Sequence, residues 1–371
     1  MAGVSTEPRP SPLKVAASVS FYMVAAIAMI LANKWVLNET DAPVFFLFCQ
    51  LVVAVLLFVI AHVVGILKLP RMVDGPLLKG LMPMIAVNVL GLNFNNWCLK
   101  YVDASFYQIA RGLVLPFTVI TSIMFLRAAP PSKRILLACS IVTGGFFTGV
   151  FLDHVTASGL ASSKDAASQP QGPSALGVFF GILSSMSTAL QAVVIKRALD
   201  VVDGSAIDLA WYTNLLSAIG TIPVILLAGE LPSVLSLLFG TTNSAALGTF
   251  LWGTAVTGLF GFLICIATLF SIKVTSPITH MISSAVRGVI QTFFSVWIFH
   301  DVISLGRGTS ISLILAGSIY YTWVKHVEGQ KKETLPSSGQ SGSSGSGRGG
   351  YEPVPMDDLK GRSNTSGDRQ D

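Results

Sequence analysis

The sequence predicts an all-α integral membrane protein of ten transmembrane helices in two inverted five-helix repeats. Three observations predict it. Of 371 residues, 52% are hydrophobic and only 12% charged, with a mean hydropathy of +0.68. Soluble domains carry about 25% charged residues, so most of this surface faces a solvent other than water. Ten apolar runs reach or approach the ~20 residues that a helix needs to cross the hydrocarbon core. Five runs per half is an odd number, so two homologous halves must enter the membrane in opposite senses.

The runs cover residues 15–37, 43–66, 78–99, 104–126, 135–152, 173–195, 208–228, 247–271, 276–299 and 304–324. The first follows Arg9 and Lys14, is longer than a signal core, and continues into Asn33 and Lys34 without a small-residue cleavage site. It reads as an uncleaved helix. The third is interrupted by Asn88, Asn93, Asn95 and Asn96, side chains suited to hydrogen bonds between helices. The fourth carries Arg111, and the fifth is short. The seventh holds Trp211, Tyr212 and Asn214, and the ninth holds His280, Ser283, Ser284, Arg287 and Gln291.

Basic residues set the orientation. Lys68, Arg71, Lys79, Arg127, Lys133, Arg134, Lys196, Arg197, Lys325, Lys331 and Lys332 fall on one side, while the other holds Glu39 and Asp41, Asp153 with Lys164 and Asp165, Glu230, and Asp301 with Arg307. The excess of Lys and Arg places both termini in the cytosol. The expected organisation is a cytosolic N-terminal tail at 1–14, a first repeat at 15–152, a Ser/Ala/Gly-rich lumenal linker at 153–172 and a second repeat at 173–327. Residues 328–371 form a Ser/Gly-rich cytosolic tail expected to be disordered, because it cannot bury enough apolar surface to fold alone.

Several function classes are excluded by composition. The four cysteines each lie in an apolar run without metal-ligand spacing, and no nucleophile triad, zinc-protease motif, phosphate-cradling loop or carboxylate cluster is present. The chain therefore reads as a non-enzyme without cofactor or metal. Its net charge of +5 is spread among short loops, so nucleic acid is not an expected partner. The lipid bilayer is the expected partner, and a homodimer is compatible with the reading.

The chemistry points to Arg111 and Arg287. A lone guanidinium at membrane depth costs roughly 2.5 to 3.5 kcal/mol, so it persists where it faces water or a counter-charge. The two settings resemble each other: Ala110-Arg111-Gly112 reads like Val286-Arg287-Gly288, and Phe117 and Phe293 follow at equal distance. Lys100 and Lys273 precede the two arginines. Acidic residues are nearly absent from these spans, so the missing counter-charge is expected from an anionic cargo, which arginine grips through its planar fork and lysine attracts as a point charge.

Arg111 and Arg287 are expected to clamp a diphosphate, with Lys34 or Lys273 adding long-range attraction. Tyr107 and Tyr212 offer rings for a base, while Asn214, Ser283 and Ser284 offer hydrogen bonds, and His280 and Gln291 complete the candidate set. Plainer readings stand beside these. Lys34 and Lys273 sit near span ends, where long basic chains snorkel to headgroups. Tyr212 also reads as an interfacial aromatic, His280 as a packing residue, and the asparagines as interhelical ties.

Several segments carry a resemblance: Asn33-Lys34-Trp-Val-Leu, Phe94-Asn-Asn-Trp-Cys-Leu-Lys-Tyr-Val102, Ser105-Phe-Tyr-Gln-Ile-Ala-Arg111, Val202-Asp-Gly-Ser205, and Thr275-Ser-Pro-Ile-Thr-His280 running to Arg287. Through them the chain resembles the nucleotide-sugar and triose-phosphate transporter branch of the drug/metabolite transporter superfamily, closest to the Golgi GDP-fucose transporters. The resemblance covers residues 15–326. It implies a Golgi antiporter that exchanges a lumen-bound nucleotide sugar for a nucleoside monophosphate, with basic residues at Arg111 and Arg287 meeting phosphate in a central cavity. Two departures bear on the cargo. Trp211-Tyr212-Thr213-Asn214 stands where GDP-sugar carriers commonly have Phe-Tyr-Asn-Asn, and Ser284-Ala-Val-Arg287-Gly288 stands where GDP-mannose carriers have Gly-Ala-Leu-Asn-Lys.

The expected function is thus Golgi import of GDP-fucose in exchange for GMP by alternating access. The alternatives are a carrier of GDP-mannose, of a UDP-sugar or of small phosphorylated metabolites, an endoplasmic reticulum location, and more remotely a receptor or scaffold acting through its tail.

Overall fold

A computed structural model describes residues 12–70, 74–126, 130–160, 174–239, 244–274, 277–299 and 305–333. These form α1 (Pro12–Glu39), α2 (Pro43–Val63), α3 (Gly75–Tyr101), α4 (Ala104–Gly112), α5 (Val114–Leu126), α6 (Lys133–Leu160), α7 (Ala175–Val201), α8 (Ala206–Leu227), α9 (Leu231–Phe239), α10 (Ser244–Val274), α11 (Pro277–Phe299) and α12 (Leu305–Glu333). Residues 1–328 make one compact unit. The second unit, 329–371, is described only at 329–333, which are helical.

All ten expected segments are helical. Eight stretches among the described residues are long and apolar enough to cross a membrane: those in α1, α2, α3, α4 with α5, α6, α7, α8 and α10. The count of ten rests on the sequence for the last two segments, α11 and α12. Large apolar side chains such as Leu56, Leu90, Phe151, Trp252 and Phe293 point outward, as surfaces facing lipid require.

The packing is reciprocal. α3 lies against α7 and α8, and α10, its counterpart in the second half, lies against α1 and α2. Two buried polar triads repeat the pattern. Gln50 on α2 donates to Asn33 on α1 at 2.7 Å and to Thr257 on α10 at 2.9 Å. Asn88 on α3 donates to Ser217 on α8 at 2.8 Å and accepts from Gln191 on α7 at 2.6 Å. Each triad joins the first two helices of one half to the third helix of the other, which is what an inverted duplication produces.

Three features differ from the expected elements. α6 continues past 152 to Leu160, because Asp153 is buried in an ion pair and not solvated in a linker. The nine-residue α9 forms where a loop was expected, burying Val234 and Leu237 and exposing Leu235 and Phe239. At roughly 1.5 Å per residue it is too short to span.

The third difference concerns the span at 104–126, whose regular hydrogen bonding lapses at Leu113 between α4 and α5, although Leu113 keeps helical angles (φ −65°, ψ −14°). Pro116 has no N–H to give the carbonyl of Gly112, and its ring crowds that carbonyl. The Leu113 N–H closes a tighter turn onto Ala110 at 3.1 Å, and Phe117 then resumes the helix on Leu113. In α11 the matching place holds Thr292, whose hydroxyl donates to the Gly288 carbonyl at 3.0 Å. There the helix is continuous.

Candidate functional site

Arg111 lies in the last turn of α4 and Arg287 near the middle of α11, two helices that pack on each other. Glycines allow the approach. A Cβ at Gly288 would collide with the side chain of Gln108, and one at Gly112 would stand 2.8 Å from Cγ2 of Ile314 on α12. The Arg-Gly step therefore does the same thing twice, with the glycine admitting a neighbouring helix beside the arginine.

Each guanidinium meets a tyrosine. Arg111 Cζ lies 5.7 Å from the centroid of the Tyr107 ring one turn earlier, and its Nη1 is 3.4 Å from the Tyr107 hydroxyl. Arg287 Cζ lies 5.6 Å from the ring of Tyr22 on α1, with Nη1 at 3.5 Å from that hydroxyl. Those polar contacts are longer than ordinary hydrogen bonds, so attraction between cation and ring contributes most of each contact. The Tyr107 hydroxyl donates to Asn95 Oδ1 at 2.5 Å, and Ser184 Oγ donates to the same oxygen at 3.2 Å. Because α4 packs on α11, the two guanidinium groups are neighbours of like charge and repel each other.

Carboxylates separate Arg111 from the buried Arg307. Arg307 on α12 pairs with Asp103 and with Asp153, both at 2.7 Å, and donates to Ser105 at 3.2 Å. It is a neutralised cation that holds the start of α4 to α6 and α12. Among the described residues, none of the ion pairs involves Arg111. Two like charges held together beside hydroxyl groups suit a multiply charged anion, whose oxygens accept from both forks.

Other expected site residues lie elsewhere. Lys34 is buried, and its ammonium donates to the carbonyls of Leu99 at 2.9 Å and Val102 at 2.7 Å. It thus serves the C-terminal end of α3, where carbonyls lack helical partners and a cation is favoured. Tyr212 packs among Leu81, Ile85, Val89, Ala198 and Leu209, and Asn214 donates to Ala210 in its own helix at 2.8 Å. Neither has a described contact with the arginine pair. Gln291, one turn beyond Arg287, is wholly buried and donates to the Ala104 carbonyl at 3.3 Å. The side chains of Lys273, His280, Ser283 and Ser284 lie outside the described residues.

Tyr22 and Ser184 join the centre without having been singled out by sequence. The available signal for Tyr22 is its place inside the first apolar run, away from the edge where aromatic belts lie. Asn95 and Tyr107 were each visible as polar residues at membrane depth, although their pairing was not.

Comparison with known proteins agrees with this architecture. The profile of the Triose-phosphate Transporter family matches residues 13–169 and 173–322. The chain is 33% identical over 341 residues to GDP-fucose transporter 1 of Mus musculus, covering 88% of this chain and 87% of that one. It is 31% identical over 338 residues to GDP-fucose transporter 1 of Nematostella vectensis, with coverage of 88% and 93%. It is 30% identical over 329 residues to "GDP-fucose transporter, Golgi" of Drosophila melanogaster, with coverage of 85% and 91%. These relatives are transporters, and the match runs from α1 to α12 through both arginine settings: the chain belongs to the Triose-phosphate Transporter family.

Proposed function

We propose that this chain is a Golgi antiporter that carries GDP-fucose into the lumen in exchange for GMP, by alternating access of a site between its two five-helix repeats. The observation that carries the reading is the arginine pair. One guanidinium comes from each half, each lies against a tyrosine, and the two repel each other until an anion arrives. Arg111 and Arg287 hold the phosphates, while Tyr107 and Tyr22 orient the forks and offer hydroxyl groups. The relatives named above supply the cargo, and the distribution of basic residues supplies cytosolic termini.

Proteoliposomes preloaded with GMP test this directly. Uptake of labelled GDP-fucose, trans-stimulated by internal GMP and blocked by external GMP, is the expected result. Preference for GDP-mannose or a UDP-sugar would replace the cargo. Uptake of small phosphorylated metabolites that GMP does not inhibit would overturn the nucleotide reading.

A further inference from the structure

At one end of the bundle, Arg307 of α12 binds three groups: Asp103 just ahead of α4, Ser105 within α4, and Asp153 in the last turns of α6. Beside them Gln291 of α11 donates to the Ala104 carbonyl. α4 and α6 belong to the first half of the chain and α11 and α12 to the second, so this ion cluster fastens one half to the other. The Asp103 side chain, 41% exposed, is its outer edge, and Arg307 and Asp153, each 4% exposed, are its inner edge.

Between the cluster and the arginine pair the protein is closed. Ala104, Ser105, Phe106 and Ile109 of α4 are wholly buried, whereas Arg111 keeps part of its surface exposed. On α11, Arg287, Gln291 and Ser295 follow at four-residue spacing and so share a face, and the bond from Gln291 to Ala104 turns that face toward α4. Gln291 and Ser295 are wholly buried too, yet Gln291 Oε1 and Ser295 Oγ have no hydrogen-bond partner. Keeping such atoms dry is unfavourable, and water would relieve it. The unsatisfied atoms thus lead from Arg287 toward the end of the bundle that the ion cluster holds shut.

Building on the carrier reading, we propose that Arg307, Asp103 and Asp153 are the latch of the lumenal gate, and that its release wets the Gln291–Ser295 face of α11 as the path from the arginine pair to the lumen. The proposed cytosolic termini put this end of the bundle on the lumenal side. Closed, the three charges satisfy one another while two polar side chains go without partners; open, the charges return to water and those side chains gain it. The two effects oppose each other, as a two-state element requires. Arginine suits the latch because its fork reaches both carboxylates at once, Asp103 through Nη1 and Asp153 through Nε.

Ser295→Cys reports the gate, because a water-soluble maleimide labels a thiol only where water reaches it. Labelling is followed in the full-length protein in detergent without cargo, with the parent protein subtracting the four native cysteines. Two variants weaken the latch and leave a cation beside Asp153: Asp103→Asn removes the exposed partner, and Arg307→Lys replaces the fork by a point charge. Each is expected to raise the labelling rate at 295 about fivefold, the population shift that follows loss of one part-exposed ion pair. Thr221→Cys serves as the control, since Thr221 is wholly buried on α8, which packs on α2 and α3, and its labelling is expected to stay unchanged. An unchanged or slower rate at 295 in both variants overturns the latch. A rise at 221 equal to that at 295 also overturns it, because the fold has then loosened as a whole. Labelling needs no cargo, so its failure leaves the carrier reading standing if wild type exchanges GDP-fucose for GMP. If wild type exchanges neither nucleotide, the carrier reading falls and the gate with it.

Discussion

Arg307 and Arg111 show two ways of keeping a guanidinium below a membrane surface. Arg307 has its carboxylates within the chain, with Asp103 and Asp153 each at 2.7 Å. Replacing it by alanine strands Asp153, whose side chain is 4% exposed, and breaking a buried pair of this kind costs about 3–5 kcal/mol. Arg111 has a tyrosine and a repelling neighbour instead. Arg111→Ala is therefore expected to leave the melting temperature of the ligand-free protein unchanged or raised, while Arg307→Ala lowers it sharply. Thermal unfolding of both variants in detergent checks the contrast. The sequence shows why Arg111 and Arg287 stand out, since each is a lone charge in an apolar run. It does not show that Lys34 is taken up by the Leu99 and Val102 carbonyls, because that contact depends on where α3 ends relative to α1.

At the scale of elements, a loop residue from the far part of the chain caps the start of α2. Ala42, which precedes α2, has no side-chain oxygen to cap it. Glu230, 186 residues away, supplies the acceptor: its carboxylate takes the N–H of Val44 at 2.9 Å and of Phe45 at 2.8 Å. A negative group is favoured at a helix start, yet burial raises the Glu230 pKa above its ordinary 4.5 despite these bonds and nearby Lys100. The folded state therefore holds its proton more tightly than the unfolded state, and this group's contribution to stability falls as pH rises from 4.5 through the raised value. Glu230→Gln removes that slope, as melting temperatures measured across the same range would show. A slope unchanged in the variant would assign it to another group. Ten helical segments were legible because a lone apolar run in hydrocarbon satisfies its own backbone N–H and C=O groups only by coiling into a helix. α9 was not legible, because nine residues can be helix or loop until a surface covers Val234 and Leu237. The break before α5 was signalled by Pro116, but a proline within an apolar run is also tolerated, as Pro83 is inside α3.

For the whole molecule, the reciprocal packing of α3 on α7 and α8 and of α10 on α1 and α2 places α4 and α11 against each other, so the two arginine settings meet between the halves. Two polar triads, one around Gln50 and one around Asn88, join α1 and α2 to α10, and α7 and α8 to α3. An odd number of spans per half makes inversion an expectation of the sequence, and an inverted pair of repeats would bring two copies of one motif face to face. The partner of Arg287 was not readable in the same way, because Tyr22 reaches it from 265 residues away.

The central claim is that Arg111 and Arg287 act as one anion clamp. Its most direct test is GDP-fucose exchange in GMP-loaded proteoliposomes containing Arg111→Ala, Arg287→Ala and the double variant, with the amount of inserted protein measured for each. The account predicts that each single variant loses roughly tenfold to a hundredfold in kcat/KM, as expected for removal of a charged hydrogen-bond donor, and that the double variant loses less than the product of the two. Properly inserted Arg111→Ala protein that exchanges at the wild-type rate would contradict it.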